Sequence, residues 1–177
     1  MPAARAAAFL ITASEGGRLH LPTLRERFAE FDPATRERFV AGCLLPQEVV
    51  SAAQEQAARF RAAVLALLET YDVLLAPAVP CIAPPIADSV MRWAGKDVPA
   101  RANLGVLTQP ISLSGCPVVA APLYRPGQMP LGLQLIGAPG RESQIFALTE
   151  RLERLGIVGG QLLVQDPSLP KVPEFPA

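Results

Sequence analysis

Pro110-Ile-Ser-Leu-Ser-Gly-Cys-Pro-Val-Val-Ala-Ala-Pro122, followed by Leu-Tyr-Arg-Pro-Gly-Gln-Met and then Pro130-Leu-Gly-Leu-Gln-Leu-Ile-Gly137, holds the clearest strand signal in the chain. Two short apolar runs, 118–121 and 131–136, flank the pair Pro126-Gly127. Pro at the first central position and Gly at the second suit a type II turn, because Gly tolerates a positive φ. Apolar runs bounded by turn residues read as neighbouring strands. Only Gln134 interrupts the second run, so the pair is expected to lie buried on both faces, inside a covered α/β sheet rather than in a half-wet hairpin.

Working outward from that pair, residues 142–155 predict a helix with Ile145, Leu148, Leu152 and Leu155 on its buried stripe and Gly156 placed to end it. On the other side, a long amphipathic helix is predicted after Pro46. Val49, Val50, Ala53, Ala57, Phe60, Val64, Leu67, Leu68 and Tyr71 recur at helical spacing, with Gln54, Glu55, Arg61 and Glu69 opposite them. Residues 72–76 read as a short buried strand, and the proline-rich 77–85 as irregular chain. Residues 86–102 are expected to be an irregular connection with one helical turn near 90–93.

At the N-terminus, the Ala-rich stretch 2–14 favours a helix that Gly16-Gly17 should end. Thr23 and Glu26 match a capping box opening a second helix. Asp32-Pro33 are an N-cap and first-turn pair for a third, running to about Ala41. Beyond Gln165, prolines 167, 170, 173 and 176 favour an extended polyproline tail. The expected organisation is one domain over 1–160 and a Pro-rich tail over 161–177.

The 177 residues suffice for one domain with a sizeable core. Half are hydrophobic and 18% are charged. A typical soluble domain has about 25% charged residues, so an excess of apolar surface is expected to meet another piece of protein. The net charge is zero and no basic run occurs, which argues against nucleic acid and anionic membranes as partners. No apolar stretch reaches the ~18 residues of a membrane span, and the N-terminus lacks a signal-peptide layout. Cys43, Cys81 and Cys116 are odd in number and widely spaced, which fits reduced thiols and a cytoplasmic setting.

The order Pro-x-Ser-x-x-Gly-x-Pro-Val-Val-x-x-Pro, followed by the unbroken 127–137 match Gly-Gln-Met-Pro-Leu-Gly-Leu-Gln-Leu-Ile-Gly, resembles the C-terminal half of the amidase signature family. Ser14-Glu15, the run Tyr71-Asp-Val-Leu-Leu-Ala-Pro77 and the helix at 142–155 agree in order, so the resemblance covers roughly residues 5–158. Ser112 departs from the Asn common in the family, and Thr108-Gln-Pro-Ile-Ser112 resembles the branch that hydrolyses urea-like amides such as carboxybiuret. The resemblance implies an α/β fold: the C-terminal part of an α/β/α sandwich, a mixed sheet covered by helices and continued by strands from an N-terminal half.

The family uses a serine nucleophile, a bridging second serine and a lysine base, the lysine preceding a Gly/Ser-rich run. Serine needs an adjacent base to take its proton. This sequence has no such run and only Lys96 and Lys171, so no catalytic residue is assigned to it. It is expected to be inactive alone as the C-terminal portion of an amidase for a small-molecule amide. The alternative is a non-catalytic, partner-binding protein that completes a separately encoded N-terminal half. A homo-oligomer is also an open arrangement, and no cofactor or metal is expected.

By the same resemblance the chain contributes pocket wall: Pro80, Cys81 and Ile82 after the first strand, and Thr108 and Gln109 before the Gly-x-Pro motif. Gln109 carries both donor and acceptor for an amide or urea. Arg38 sits where some relatives place an arginine that pairs with a substrate carboxylate, a task suited to its bidentate geometry. A solvated helix arginine beside Arg36 and Glu37 explains Arg38 equally well. The lone His20 cannot build a metal site and reads as a surface or helix-end residue. Cys116 has no base nearby in sequence and reads as a small core residue. Ser112 and Ser114 read as hydrogen-bonded turn or strand residues.

Overall fold

A computed structural model describes residues 2–85, 90–125 and 127–159; the Pro-rich tail expected over 161–177 lies outside them. The first helix, α1 (Pro2–Arg27), does not stop at Gly16-Gly17 but runs through both glycines and past the supposed capping box at Thr23. A 3₁₀ turn at Phe28–Glu30 ends it. The glycines serve packing instead. A Cβ on Gly17 would lie 2.4 Å from the Phe39 carbonyl oxygen, and one on Gly42 would lie 2.0 Å from that of Ala13. Helix α2 (Pro33–Cys43) therefore presses its backbone onto α1 where side chains would hold the two apart. That contact offsets the roughly 1 kcal/mol that each helical glycine costs relative to alanine.

Asp32 caps α2 as its sequence suggested, accepting from the Thr35 N–H at 3.0 Å with Pro33 in the first turn. His20 is not a free surface residue. Its ring stacks on Phe39, centroids 5.1 Å apart, and meets the edge of Phe31 at 6.0 Å, fastening α1 to the middle of α2 and to the residue that closes the 3₁₀ turn ahead of it.

Pro46 is followed by α3 (Gln47–Thr70), the long amphipathic helix. Val50, Ala53, Val64 and Leu68 of its stripe are buried, whereas Val49, Leu67 and Tyr71 are exposed. Arg61, expected on the outer face, turns inward and donates to the Ser114 carbonyl.

Strand β1 (Val73–Pro77) follows as expected. The helical turn expected at 90–93 is instead a hairpin, β2 (Val90–Trp93) with β3 (Lys96–Pro99), paired antiparallel. Ala94 and Gly95 both take positive φ, 49° and 78°. That is the two-residue primed turn whose twist matches a hairpin, and Ala in place of Asn or Asp hides it from a reading of the sequence. Two short helices come next, α4 (Ala100–Asn103) and α5 (Gln109–Ser112).

The opening stretch gives β4 (Val118–Leu123) and β5 (Leu131–Gly137), an antiparallel pair. Between them the Gln128 N–H donates to the Arg125 carbonyl and Gly127 has φ 73°, as a type II turn requires. Strand β5 is central, and the sheet order is β1-β5-β4. The α/β class holds, but both pairings are antiparallel, so the mixed sheet expected from the resemblance is not formed among the described residues. The tight turn forces β4 and β5 to pair that way, whereas β1 reaches the other side of β5 from a distant stretch of the chain.

Helix α6 (Glu142–Arg154) covers one face of the sheet. Ile145, Leu148 and Leu152 pack on Val119, Ala121, Leu133 and Leu135, the last fully buried. The helix ends on Gly156 at φ 68°, with the Ile157 N–H donating to the Leu152 carbonyl and the Gly156 N–H to Glu153, a Schellman closure. Leu155, expected in the buried stripe, lies past the last turn and is exposed. Burial on both faces is reached only by the second half of β5, 134–137; β4 and β1 keep exposed positions.

Candidate functional site

Gln134, the one polar residue of β5, is buried and fixes the loop that matters for the site. Its amide nitrogen donates to the Pro77 carbonyl at 2.9 Å and the Leu107 carbonyl at 3.4 Å. The sheet thereby holds the 104–109 segment in place. That segment turns on its own backbone, with the Gln109 N–H on the Gly105 carbonyl at 2.9 Å, and leads into α5.

Gln109 and Arg38 line the same cavity, of about 820 Å³, between α1, α2, the hairpin and the 101–109 segment. Arg38 lies over the Phe9 ring, its guanidinium carbon 4.5 Å from the centroid, and donates to the Thr12 hydroxyl. Its Nε is buried without a hydrogen-bond partner. Gln109 presents its amide oxygen to Arg5, which donates from Nε at 3.2 Å. The same Arg5 reaches the Ala102 carbonyl at 2.7 Å and Asn103 Oδ1 at 3.1 Å. One cation on α1 thus sets the orientation of Gln109 and clamps the end of α4.

The other expected pocket residues are dispersed. Cys81 lines a second, apolar cavity of about 490 Å³ with Leu104, Ala121 and Leu131. Pro80, Ile82 and Thr108 line neither; Ile82 is exposed, and Thr108 is engaged with the Gly105 carbonyl at 3.3 Å. The two cavities flank one loop, since Leu104 faces the second and Leu107 the first.

Ser112 and Ser114 are hydrogen-bonded turn residues, donating to the Thr108 carbonyl at 3.2 Å and the Ile111 carbonyl at 2.6 Å. Among the described residues neither hydroxyl has a basic side chain as partner; Arg61 reaches the backbone carbonyl of Ser114, not its side chain. Cys43, Cys81 and Cys116 are all unbridged and half-buried. Among the described residues no group of three or more His, Cys, Asp or Glu converges to hold a metal ion, and no helix is long and apolar enough to cross a membrane.

Sequence reasoning missed Arg5, Trp93 and Arg101, all of which line the larger cavity. Arg5 left one trace: it is the only charged residue before Glu15 in an Ala-rich helix, with no acidic residue three or four positions away to pair with it.

The chain belongs to the amidase family: the family model, Amidase, matches residues 17–146. It is 46% identical over 156 residues to the 1-carboxybiuret hydrolase subunit AtzE of Pseudomonas sp. strain ADP, covering 86% of this chain and 34% of that protein. A solved structure of a vestigial protein complex, described as revealing the origins of an s-triazine catabolic enzyme, superposes with a TM-score of 0.81 at 44% identity. It covers 88% of this chain and 34% of that one. The crystal structure of an amidase superposes at 0.80 with 29% identity, over 88% and 36% of the two chains. The chain spans about a third of the length of these relatives.

Proposed function

We propose that these residues form the C-terminal portion of an amidase that hydrolyses the C–N bond of a small amide or urea-like substrate, with 1-carboxybiuret the leading candidate. The observation that carries this reading is the 46% identity to the carboxybiuret hydrolase subunit across 86% of this chain. The nucleophilic serine, bridging serine and lysine base then belong to a separate segment. There the serine oxygen attacks the carbonyl, the amine leaves with the proton relayed through the base, and water cleaves the acyl ester. Backbone N–H groups would stabilise the oxyanion.

In this scheme the chain supplies wall and floor. Arg38 and Gln109 contact the substrate from the larger cavity, while Pro80, Cys81, Ile82 and Thr108 shape the loops beside it. The chain works with an N-terminal amidase half, continuous with it or separately encoded, and the setting is the cytoplasm, which suits three unbridged thiols. A non-catalytic subunit that only binds a partner is favoured by one observation: Leu67, Leu75 and Phe146 lie exposed on elements whose other faces are packed.

Mixing the chain with the N-terminal two-thirds of the Pseudomonas relative and measuring ammonia release tests the reading. Activity is expected only in the mixture. Turnover by the chain alone, abolished by replacing one of its own serines, would overturn it; a stable but inactive complex would favour the binding subunit.

A further inference from the structure

Gln134 breaks the apolar run of β5 at the centre of the sheet, where Leu would match the residues on either side. It is buried, and a buried carboxamide costs free energy unless it is hydrogen-bonded. Both of its contacts are carbonyl oxygens, of Pro77 at 2.9 Å and of Leu107 at 3.4 Å. The end that faces them is therefore the NH2 group, which can serve two acceptors at once. The two acceptors differ. Pro77 is already fixed, paired with Leu133 across the β1–β5 ladder and followed by the Ala78 N–H on the Gly132 carbonyl at 2.7 Å. Leu107 belongs to a loop.

That loop has few other means of holding its middle. Residues 103–109 are all half-buried. Their backbone bonds are local, from Val106 to Asn103 and from Thr108 and Gln109 to Gly105. Arg5 grips the two ends, at Asn103 and Gln109. Between those ends the loop has a cavity on either side, with Leu104 on the second and Val106 and Leu107 on the larger. A segment flanked by open space lacks the packing that would fix its depth. Among the described residues, Gln134 is the one side chain from outside the loop that bonds to the backbone of 104–107.

We propose that Gln134 is a positioning residue: its second amide hydrogen sets the spacing between the end of β1 and the 104–109 loop, and with it the seating of Gln109 in the larger cavity. Pro77 leads directly into Pro80, Cys81 and Ile82, so one carboxamide stands between both segments assigned to the pocket wall. The proposal rests on reading the chain as an amidase pocket wall. It adds that a residue lining neither cavity keeps the two wall segments in register.

Gln134→Met keeps the length of the side chain and removes both donors. In the full chain mixed with the N-terminal two-thirds of the Pseudomonas relative, it should raise the KM for ammonia release roughly tenfold, the scale of a carbonyl left without its donor. The kcat should change little, because the tie places the wall and not the reacting atoms. In the full chain alone, hydrogen exchange should quicken at the amides of 105–109 and stay unchanged along β4 and β5. Gln134→Glu gives a signature that mere filling of space would not. An ionised carboxylate cannot donate, its protonated form offers one O–H, and burial raises the pKa of a carboxyl. Its KM should therefore approach the wild-type value as pH falls. Circular dichroism and melting confirm that each variant is folded. Where neither folds, the wild-type chain isotope-labelled at glutamine decides: the Gln134 side-chain amide protons should exchange far more slowly than those of Gln54, which is exposed.

A folded Gln134→Met variant with unchanged KM, exchange quickened equally throughout the sheet, a Gln134→Glu variant whose KM follows the wild type at every pH, or fast exchange of the Gln134 side-chain amide would each overturn the proposal. Ammonia release that Gln134→Met leaves unaltered removes the positioning role and keeps the amidase reading intact. No ammonia from any mixture removes the amidase reading, and quickened exchange confined to 105–109 then still upholds the tie from sheet to loop.

Discussion

Asp32 carries two contacts at once. Its carboxylate accepts from the Thr35 N–H to cap α2, and from Arg101 across to α4. The Arg101 guanidinium, with the Thr35 N–H and hydroxyl, holds the carboxyl below its ordinary value of 3.8. A group whose folded-state pKa is depressed binds its proton more tightly in the unfolded chain. Its contribution is therefore full above the ordinary value and is lost as pH falls through the lower, folded one. Both partners are exposed, so the contribution is small. Comparing denaturation midpoints of the wild type and Asp32→Asn at about pH 6 and about pH 3 should show the wild-type advantage shrinking with acidity; an advantage constant across that range would contradict the pairing. At this scale the cap was legible because Asp-Pro encodes it locally. The partner Arg101 was not, since it approaches from 69 residues away.

At the scale of the element, periodicity told the truth about α3, α6, β1, β4 and β5, and misled where one residue type has two uses. Glycine ends helices, and it also lets helices touch. Gly16-Gly17 was read as the first use and serves as the second, because α2 crosses α1 at that level. Gly42→Ala is expected to destabilise the chain by about 1–3 kcal/mol, the usual cost of overpacking. Its added methyl would meet the Ala13 carbonyl at 2.0 Å, backbone that cannot swing aside. Denaturant unfolding measures this; an unchanged midpoint would mean that the helices are not in close contact. The β2–β3 hairpin escaped notice for a related reason: Ala94 occupies a positive-φ site that carries no sequence signature. With it went Trp93, one wall of the larger cavity.

At the scale of the molecule, the exposed apolar positions fall into a pattern. Leu75 is 58% exposed on β1, a sheet edge, and Phe146 is 63% exposed on α6, opposite its buried stripe. Leu67 and Tyr71 repeat this at the end of α3. Uncovered strand edges and apolar faces invite association. The chain alone should therefore bind a hydrophobic dye and form concentration-dependent oligomers in sedimentation, and an N-terminal amidase half should suppress both. A dye-silent monomer at every concentration would show that these faces need no cover. Local chemistry was enough to determine the strand pair with its turn, the long helix, the N-cap of α2 and the amidase resemblance, because each rests on residues close together in the chain. Only the tertiary structure decided which glycines pack, that Arg38 and Gln109 share a cavity while Cys81 faces another, and that Arg5 joins them. Those relations link residues far apart in sequence, and no local propensity records which distant backbone or side chain will stand opposite.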